Sequence, residues 1–385
     1  MSLLSLPPDI LILLPDFLHN IEDFLNLSST CRTLRSCLAS ASPSTILRLV
    51  AAQSKMFFRP SPHFLVAATA RELGDWARQS KTNDVELTTR LQQGIDALIG
   101  LALEKDCGLT LARIRQLHQM RYDIINPVTN IIDQCVGEQW YDVSDFWNGG
   151  RSDAYTISSE PSETFFHLAI YGELFGPDLE SFLDGDTHSA RLSLEARLEY
   201  IKYCLPDFAT TCGKSHTPGV EMDPRRVLRK VGPYAPTKKD ARRGNGFAPQ
   251  KYNHNIALTW VVKSSRWRPH WKRFREAAGC SDFIEAFEDG WWSDEENDHP
   301  EAWKQRLLEN VMICQGVEGL GMVSRAVDEG LRIEQWGPKV REWQAKIAAL
   351  EVEPEVVRID RQTTSNCPYL LGDLRVCCSG YVGGT

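Results

Sequence analysis

A chain of 385 residues that is 42% hydrophobic and 24% charged has the composition of an ordinary globular protein, long enough for two or three domains with a sizeable core. Its net charge of −8 and pI near 5.7 argue against a general binder of nucleic acid or membrane surfaces, although a local stretch can carry the opposite sign. No apolar run reaches the roughly 18 residues of a membrane span, Pro7, Pro8, Asp9 and Pro15 make the amino end a poor signal peptide, and eleven cysteines without a repeated CxxC read as thiols of a reducing compartment, cytoplasmic or nuclear.

The first patterned stretch runs from Leu6 to Leu38. Ile10, Leu11, Leu14, Phe17, Leu18 and Ile21 recur as one face of a helix, and Phe24, Leu27, Cys31, Leu34 and Leu38 form a second stripe at spacings of three and four. Asn20 can cap the second helix, and Glu22 and Asp23 place negative charge on its first turn, where the helix dipole favours it. The expectation is two short amphipathic helices joined at His19–Asn20, with Pro15 kinking the first. A piece of about 40 residues buries too little surface to be stable alone. Either the rest of the chain or a partner must cover these stripes.

Ser40 to Ser44 reads as a linker, and Pro43 can open a further short helix through Leu47 and Val50. Arg59 to Pro62 marks the expected domain boundary, after which the text is helical: 64–80, 84–104, a helix capped by Thr110 running to about Ile125, and another that Asn126-Pro127 starts and that ends near Trp140. Tyr141 to Ser162 reads as loop. The segment 163–175 carries Phe165, Phe166, Leu168, Ala169, Ile170, Tyr171 and Leu174 on almost every side, which predicts a helix at the centre of the core, ended by Gly176-Pro177. Ser193 is the expected cap of a helix over 194–205. Between Asp207 and Gln250 periodicity disappears into an irregular insertion. Helices are expected again at 255–263, at 269–278, after Asp298-His299-Pro300-Glu301, and from Pro338 to Leu350; 355–359 could be a strand, and the tail from 353 to 385 reads as loose. No period of 20 to 50 residues is present. The fold class expected is mainly α: a helical hairpin over residues 1–50, then a larger irregular helical domain over 62–350.

The amino-terminal residues resemble a known motif. Leu6-Pro7, followed by Asp9-Ile10-Leu11, is similar to the opening of the F-box, by which adaptor proteins bind Skp1 in cullin-RING ubiquitin ligases. Leu14 and Leu18 match the first helix of that motif, and Asp23, Phe24, Leu27, Cys31 and Arg32 match the second; Leu34 stands where many F-boxes have tryptophan. The wording of the segment is similar to that of F-box proteins of filamentous fungi. What the resemblance implies is a non-catalytic substrate adaptor that needs no cofactor, with Leu6, Pro7, Ile10, Leu11, Leu14, Leu18, Phe24, Leu27, Cys31 and Leu34 at the Skp1 interface. A target protein held beside the charged conjugating enzyme then reacts at high effective concentration. The bland alternative is a hairpin that only starts a larger α-domain, as in a scaffold acting outside a ligase.

Charge is segregated later in the chain. From Asp223 to Arg275 fifteen Lys or Arg face two acids, and from Glu276 to Glu301 ten acids face none. Arg225, Arg226, Lys238, Lys239, Arg242, Arg243, Arg266 and Arg268 are candidates for docking an acidic or phosphorylated substrate segment. Trp260, Trp267 and Trp271 among them would also suit nucleic acid, the weakest reading given the overall charge. The alternative to both is mutual neutralisation of the two stretches. Asp294, Glu295, Glu296 and Asp298 lack EF-hand spacing, Cys367, Cys377 and Cys378 lack a histidine at zinc spacing, and His167 in the most apolar helix reads as a core residue. No GxSxG, Walker loop, HExxH or GxGxxG after a strand is present, so nothing calls for an enzyme.

Overall fold

A computed structural model of the chain describes residues 5–53, 58–136, 161–185, 189–204, 268–284, 300–324 and 329–352, with 370–371 and 373–374. The fold is mainly α-helical. In chain order the helices are α1 Pro8–Leu11, α2 Ile21–Thr30, α3 Arg32–Leu38, α4 Pro43–Ala52, α5 His63–Arg78, α6 Lys81–Leu91, α7 Asp96–Glu104, α8 Leu111–Met120, α9 Asn126–Val136, α10 Pro161–Leu183, α11 Leu194–Cys204, α12 Arg268–Ala277, α13 Ala302–Ile313, α14 Gly316–Leu320 and α15 Glu329–Ala348. Leu370–Leu371 and Asp373–Leu374 are two-residue strands, too short to form a layer. The insertion at 207–250, the helix at 255–263 and the strand at 355–359 lie outside the described residues.

The segment with apolar side chains all round becomes the axis. Phe165, Phe166, Leu168, Ile170, Tyr171, Leu174 and Phe175 of α10 are all buried, and α5, α9, α13 and α14 pack about it. Two glycines let backbone approach it closely: a Cβ on Gly172 would overlap the Gly316 nitrogen, and one on Gly176 the Cys314 oxygen. Gly316 has φ +72, so the turn lying on α10 uses a conformation that side chains oppose. The Glu173 carboxylate accepts from the Val317 nitrogen at 3.0 Å and from Arg71 at 3.0 Å, fixing turn and axis to α5.

The axis does not stop at Gly176-Pro177 as the sequence suggests. It continues to Leu183, held on either side of the proline by one neighbour, since Arg71 reaches Glu173 and, two turns later, Arg78 reaches Asp178 at 2.8 Å. Asp178 also accepts from the Leu192 nitrogen at 3.3 Å and faces Arg197 at 3.8 Å. Burial lifts its carboxyl above the ordinary carboxylate range, against the pull of Arg78 and Arg197.

Three more boundaries differ from expectation. The helix expected over 84–104 is two, α6 and α7, because Gly94 turns the chain at φ +90. Asn126-Pro127 does not break the run from Leu111; the backbone widens into a π-turn over Arg121–Ile125 and continues. Pro127 has no N–H for the Asp123 carbonyl, and that oxygen accepts from Arg332 at 2.7 Å instead. Arg332 also donates to the Gly321 and Ser324 carbonyls at 3.2 and 3.1 Å, so one guanidinium ties α15 to two earlier segments. Lastly, α15 starts nine residues before Pro338 and passes through it. Expected caps are found at Asn20, Thr110 and Ser193, which accept from Asp23 at 2.8 Å, Arg113 at 3.1 Å and Ala196 at 3.2 Å.

Candidate protein-docking surface

The amino-terminal segment is shaped by its prolines and hydroxyls. Pro8 occupies the first turn of α1, and Pro15 supplies no N–H to the Leu11 carbonyl, so α1 ends at Leu11. The chain then tightens into a 3-10 turn over Leu14–Phe17, in place of the kinked continuous helix that periodicity suggests. Asp16 N–H donates to Leu13 O at 3.1 Å and Leu18 N–H to Pro15 O at 3.2 Å. Asn20 caps α2, and its amide donates to the Asp23 carboxylate at 2.7 Å. The second predicted helix is also divided. The Ser28 and Ser29 hydroxyls donate to the Leu25 carbonyl at 2.8 and 2.7 Å and Thr30 to Leu27, which draws backbone acceptors away from the next turn. Cys31 is extended (φ −157, ψ 166), and its Sγ accepts from Leu34 N–H at 3.5 Å, starting α3.

This backbone sorts the apolar residues into two sets. Leu11, Ile21, Phe24, Leu34 and Leu38 are buried with Ile46, Leu47, Leu49 and Val50 of α4. Their core is continuous with that of the later helices. The Pro43 carbonyl accepts from Leu109 N–H at 3.1 Å, and a Cβ on Gly108 would overlap that carbonyl, so residues 1–50 are joined to the rest by backbone contact. Of the ten residues assigned to Skp1 by the resemblance, Leu11, Phe24 and Leu34 therefore serve the internal core. Leu6, Leu14, Leu18, Leu27 and Cys31 are half-buried, and Pro7 and Ile10 are exposed.

The second set faces water. Ile10 (46% exposed), Ile12, Leu13 (48%), Phe17 (74%) and Leu25 are five of the nine large hydrophobics left exposed among the described residues. They fall within sixteen consecutive positions, so they constitute a concentration rather than the usual scatter. Ile10 and Phe17 lie on the first expected stripe, whereas Ile12, Leu13 and Leu25 lie off both and escape stripe-based reasoning. The signal that could have found them is the unbroken apolar run from Ile10 to Leu14. Five successive residues sweep more than a full helical turn, so one buried face cannot take them all. Asp9, Asp16, Glu22 and Asp23 stand exposed among them, and Arg32 is the first Lys or Arg of the chain.

The other candidates are less informative. Arg225, Arg226, Lys238, Lys239, Arg242, Arg243 and Arg266 lie outside the described residues, as do Asp294, Glu295, Glu296, Asp298 and the cysteines 367, 377 and 378. Arg268 opens α12. Where the basic and acidic stretches meet they pair: buried Arg275 donates to Asp282 at 2.6 Å and faces Glu309 at 3.5 Å. Among the described residues no three His, Cys, Asp or Glu side chains are grouped to hold a metal ion. His167 is buried, its ring edge-on to His63 with centroids 4.8 Å apart, and its backbone carbonyl accepts from Tyr200. No family model, curated protein or solved structure matches the chain.

Proposed function

We propose that the chain is a non-catalytic adaptor whose amino-terminal apolar surface docks on Skp1, so that the remaining helices present a protein target to a cullin-RING ubiquitin ligase in cytoplasm or nucleus. The observation that carries this reading is the concentration of exposed Ile10, Ile12, Leu13, Phe17 and Leu25 on a segment whose opposite face is already buried. Such a surface is costly to leave in water and suits a protein partner, with large side chains as the contact points that dominate affinity. The resemblance of Leu6-Pro7, Asp23-Phe24 and Cys31-Arg32 to the F-box supplies the identity of that partner.

The test is co-purification with Skp1. Replacing Leu13 and Phe17 by alanine should abolish binding while the melting temperature stays within about 2 °C of the wild type, since exposed positions contribute within about 0.5 kcal/mol. Leu11→Ala should instead cost about 2–5 kcal/mol of stability, because it empties a buried position. A Leu13/Phe17 double variant that still binds Skp1 would refute this assignment of the surface.

A second reading, a scaffold whose F-box-like segment is part of its own fold, is favoured by the continuity of the amino-terminal core with the later helices. It predicts that the wild-type chain is folded yet does not retain Skp1, and that removal of residues 1–50 unfolds the remainder. Nucleic-acid binding through residues 223–275 would show a steep fall of affinity with salt.

A further inference from the structure

The exposed apolar surface is held in place by the helix that follows it in the chain, α4. The 3-10 turn over Leu14–Phe17 is four residues long, and such turns have poor internal hydrogen-bond geometry. Leu14 packs on the core and Pro15 is buried, which anchors the start of the turn, but Phe17 at its end is largely in water and gives that end little anchorage. Helix α4 supplies what is missing. Arg48 Nη1 donates to the Leu18 carbonyl at 3.1 Å and Nη2 to the Pro15 carbonyl at 2.8 Å, spanning the end of the turn with one rigid fork. Thr45 Oγ1 donates to the Asp16 carboxylate at 3.3 Å, and Ser42 Oγ donates to Thr45 Oγ1 at 2.9 Å while accepting from the Thr45 nitrogen at 3.1 Å. Thr45 and Arg48, three residues apart, place both ties to the turn on one face of α4, with the N-cap Ser42 bracing Thr45.

The geometry points to Arg48 as a positioning residue for docking, assisted by Thr45. Its contribution is made within the chain. It fixes the backbone from Pro15 to Leu18 and so presents Leu13 and Phe17 in one arrangement before binding. Without it the turn samples other conformations, and the apparent affinity falls by the fraction of molecules that remain competent. This inference rests on the docking role proposed above, and its test separates the two.

Amide hydrogen exchange in the free full-length chain reads the clamp directly. In Arg48→Ala, exchange at Asp16 and Leu18 should quicken about tenfold while amides of α2 and α5 keep their protection; Arg48→Lys, which can reach only one carbonyl at a time, should fall between. Unchanged exchange at Asp16 and Leu18 overturns the clamp whatever the partner does. Binding to Skp1 reads the consequence. Arg48→Ala should weaken it about tenfold, and in a double-mutant cycle with Phe17→Ala the losses should be less than additive, because both act through the same turn. Fully additive losses, or full affinity in Arg48→Ala, overturn the positioning role. Failure of the wild type to bind Skp1 removes the docking role, and the exchange measurement still decides the clamp.

Discussion

Gly172→Ala and Gly100→Ala place one methyl group on two buried or half-buried helices, and the structure requires opposite outcomes. At Gly100, inside α7, a Cβ meets nothing within 4 Å, so only the change in helix propensity acts, a gain of about 0.5–1 kcal/mol. At Gly172 the same propensity gain is set against a Cβ that would overlap the Gly316 nitrogen and stand 2.9 Å from the Cys314 carbonyl carbon. Both neighbours are backbone and cannot swing aside. Overpacking of this kind costs about 1–3 kcal/mol. Relief by moving the Gly316 peptide would strain the bond from Val317 N–H to the Glu173 carboxylate, and a hydrogen bond to a charged group is worth about 1.5–3 kcal/mol. The net expectation for Gly172→Ala is a loss of about 2–4 kcal/mol. Urea unfolding followed by circular dichroism measures both variants against the wild type. If the two midpoints move in the same direction, the close approach of the 314–316 turn to α10 is refuted.

Three other outcomes follow from buried charge and thiols. Arg78→Ala should cost about 3–5 kcal/mol near neutral pH, because it leaves the Asp178 carboxylate buried with a weaker partner. Since burial already raises the Asp178 pKa, the carboxyl can protonate, and the deficit measured at about pH 5 should be smaller than at about pH 7.5. The Cys107 thiol is pushed up to about 11, chiefly by burial and then by Glu72, Asp106 and Asp75, and the Cys204 thiol is raised by burial. Iodoacetamide at about pH 8 should therefore leave both unmodified in the native protein and label them in denaturant; rapid native labelling of Cys107 would contradict its environment. For His118, burial and then Arg121 lower the imidazole pKa below its ordinary 6.5. The folded state favours the neutral ring, so its contribution is present above pH 6.5 and is lost as pH falls through the lowered value. His118→Gln should remove that acid-side slope from a plot of stability against pH.

The sequence conveyed side-chain-capped helix starts better than boundaries marked by proline. Asn20, Thr110 and Ser193 cap by a purely local bond to a nitrogen three residues on, so their role is visible in the order of residues alone. Prolines 127, 177 and 338 read as helix boundaries, yet each sits within a continuing helical path. Whether the carbonyl a proline abandons is answered is a tertiary matter. Arg332 answers Asp123 from more than 200 positions away, and near Pro338 the residue Glu334 lies exposed, where water can serve. The apolar surface was legible in part for a related reason. Periodicity marks residues sharing a face but not which face is covered, and Pro15, by ending α1, turned Leu13 and Phe17 away from the side that α4 protects.

The bond from Arg332 to the Asp123 oxygen has an evolutionary corollary. A main-chain acceptor has no codon of its own, so the chemical character of residue 123 can drift without loosening the fastening. What selection can act on is the imino acid four positions later, the distant guanidinium, and the Ser324 hydroxyl, which donates to the same oxygen at 3.4 Å. Across natural variants Pro127 and Arg332 are expected to be kept or surrendered together, while the side chain between their meeting point and the solvent records nothing of the constraint.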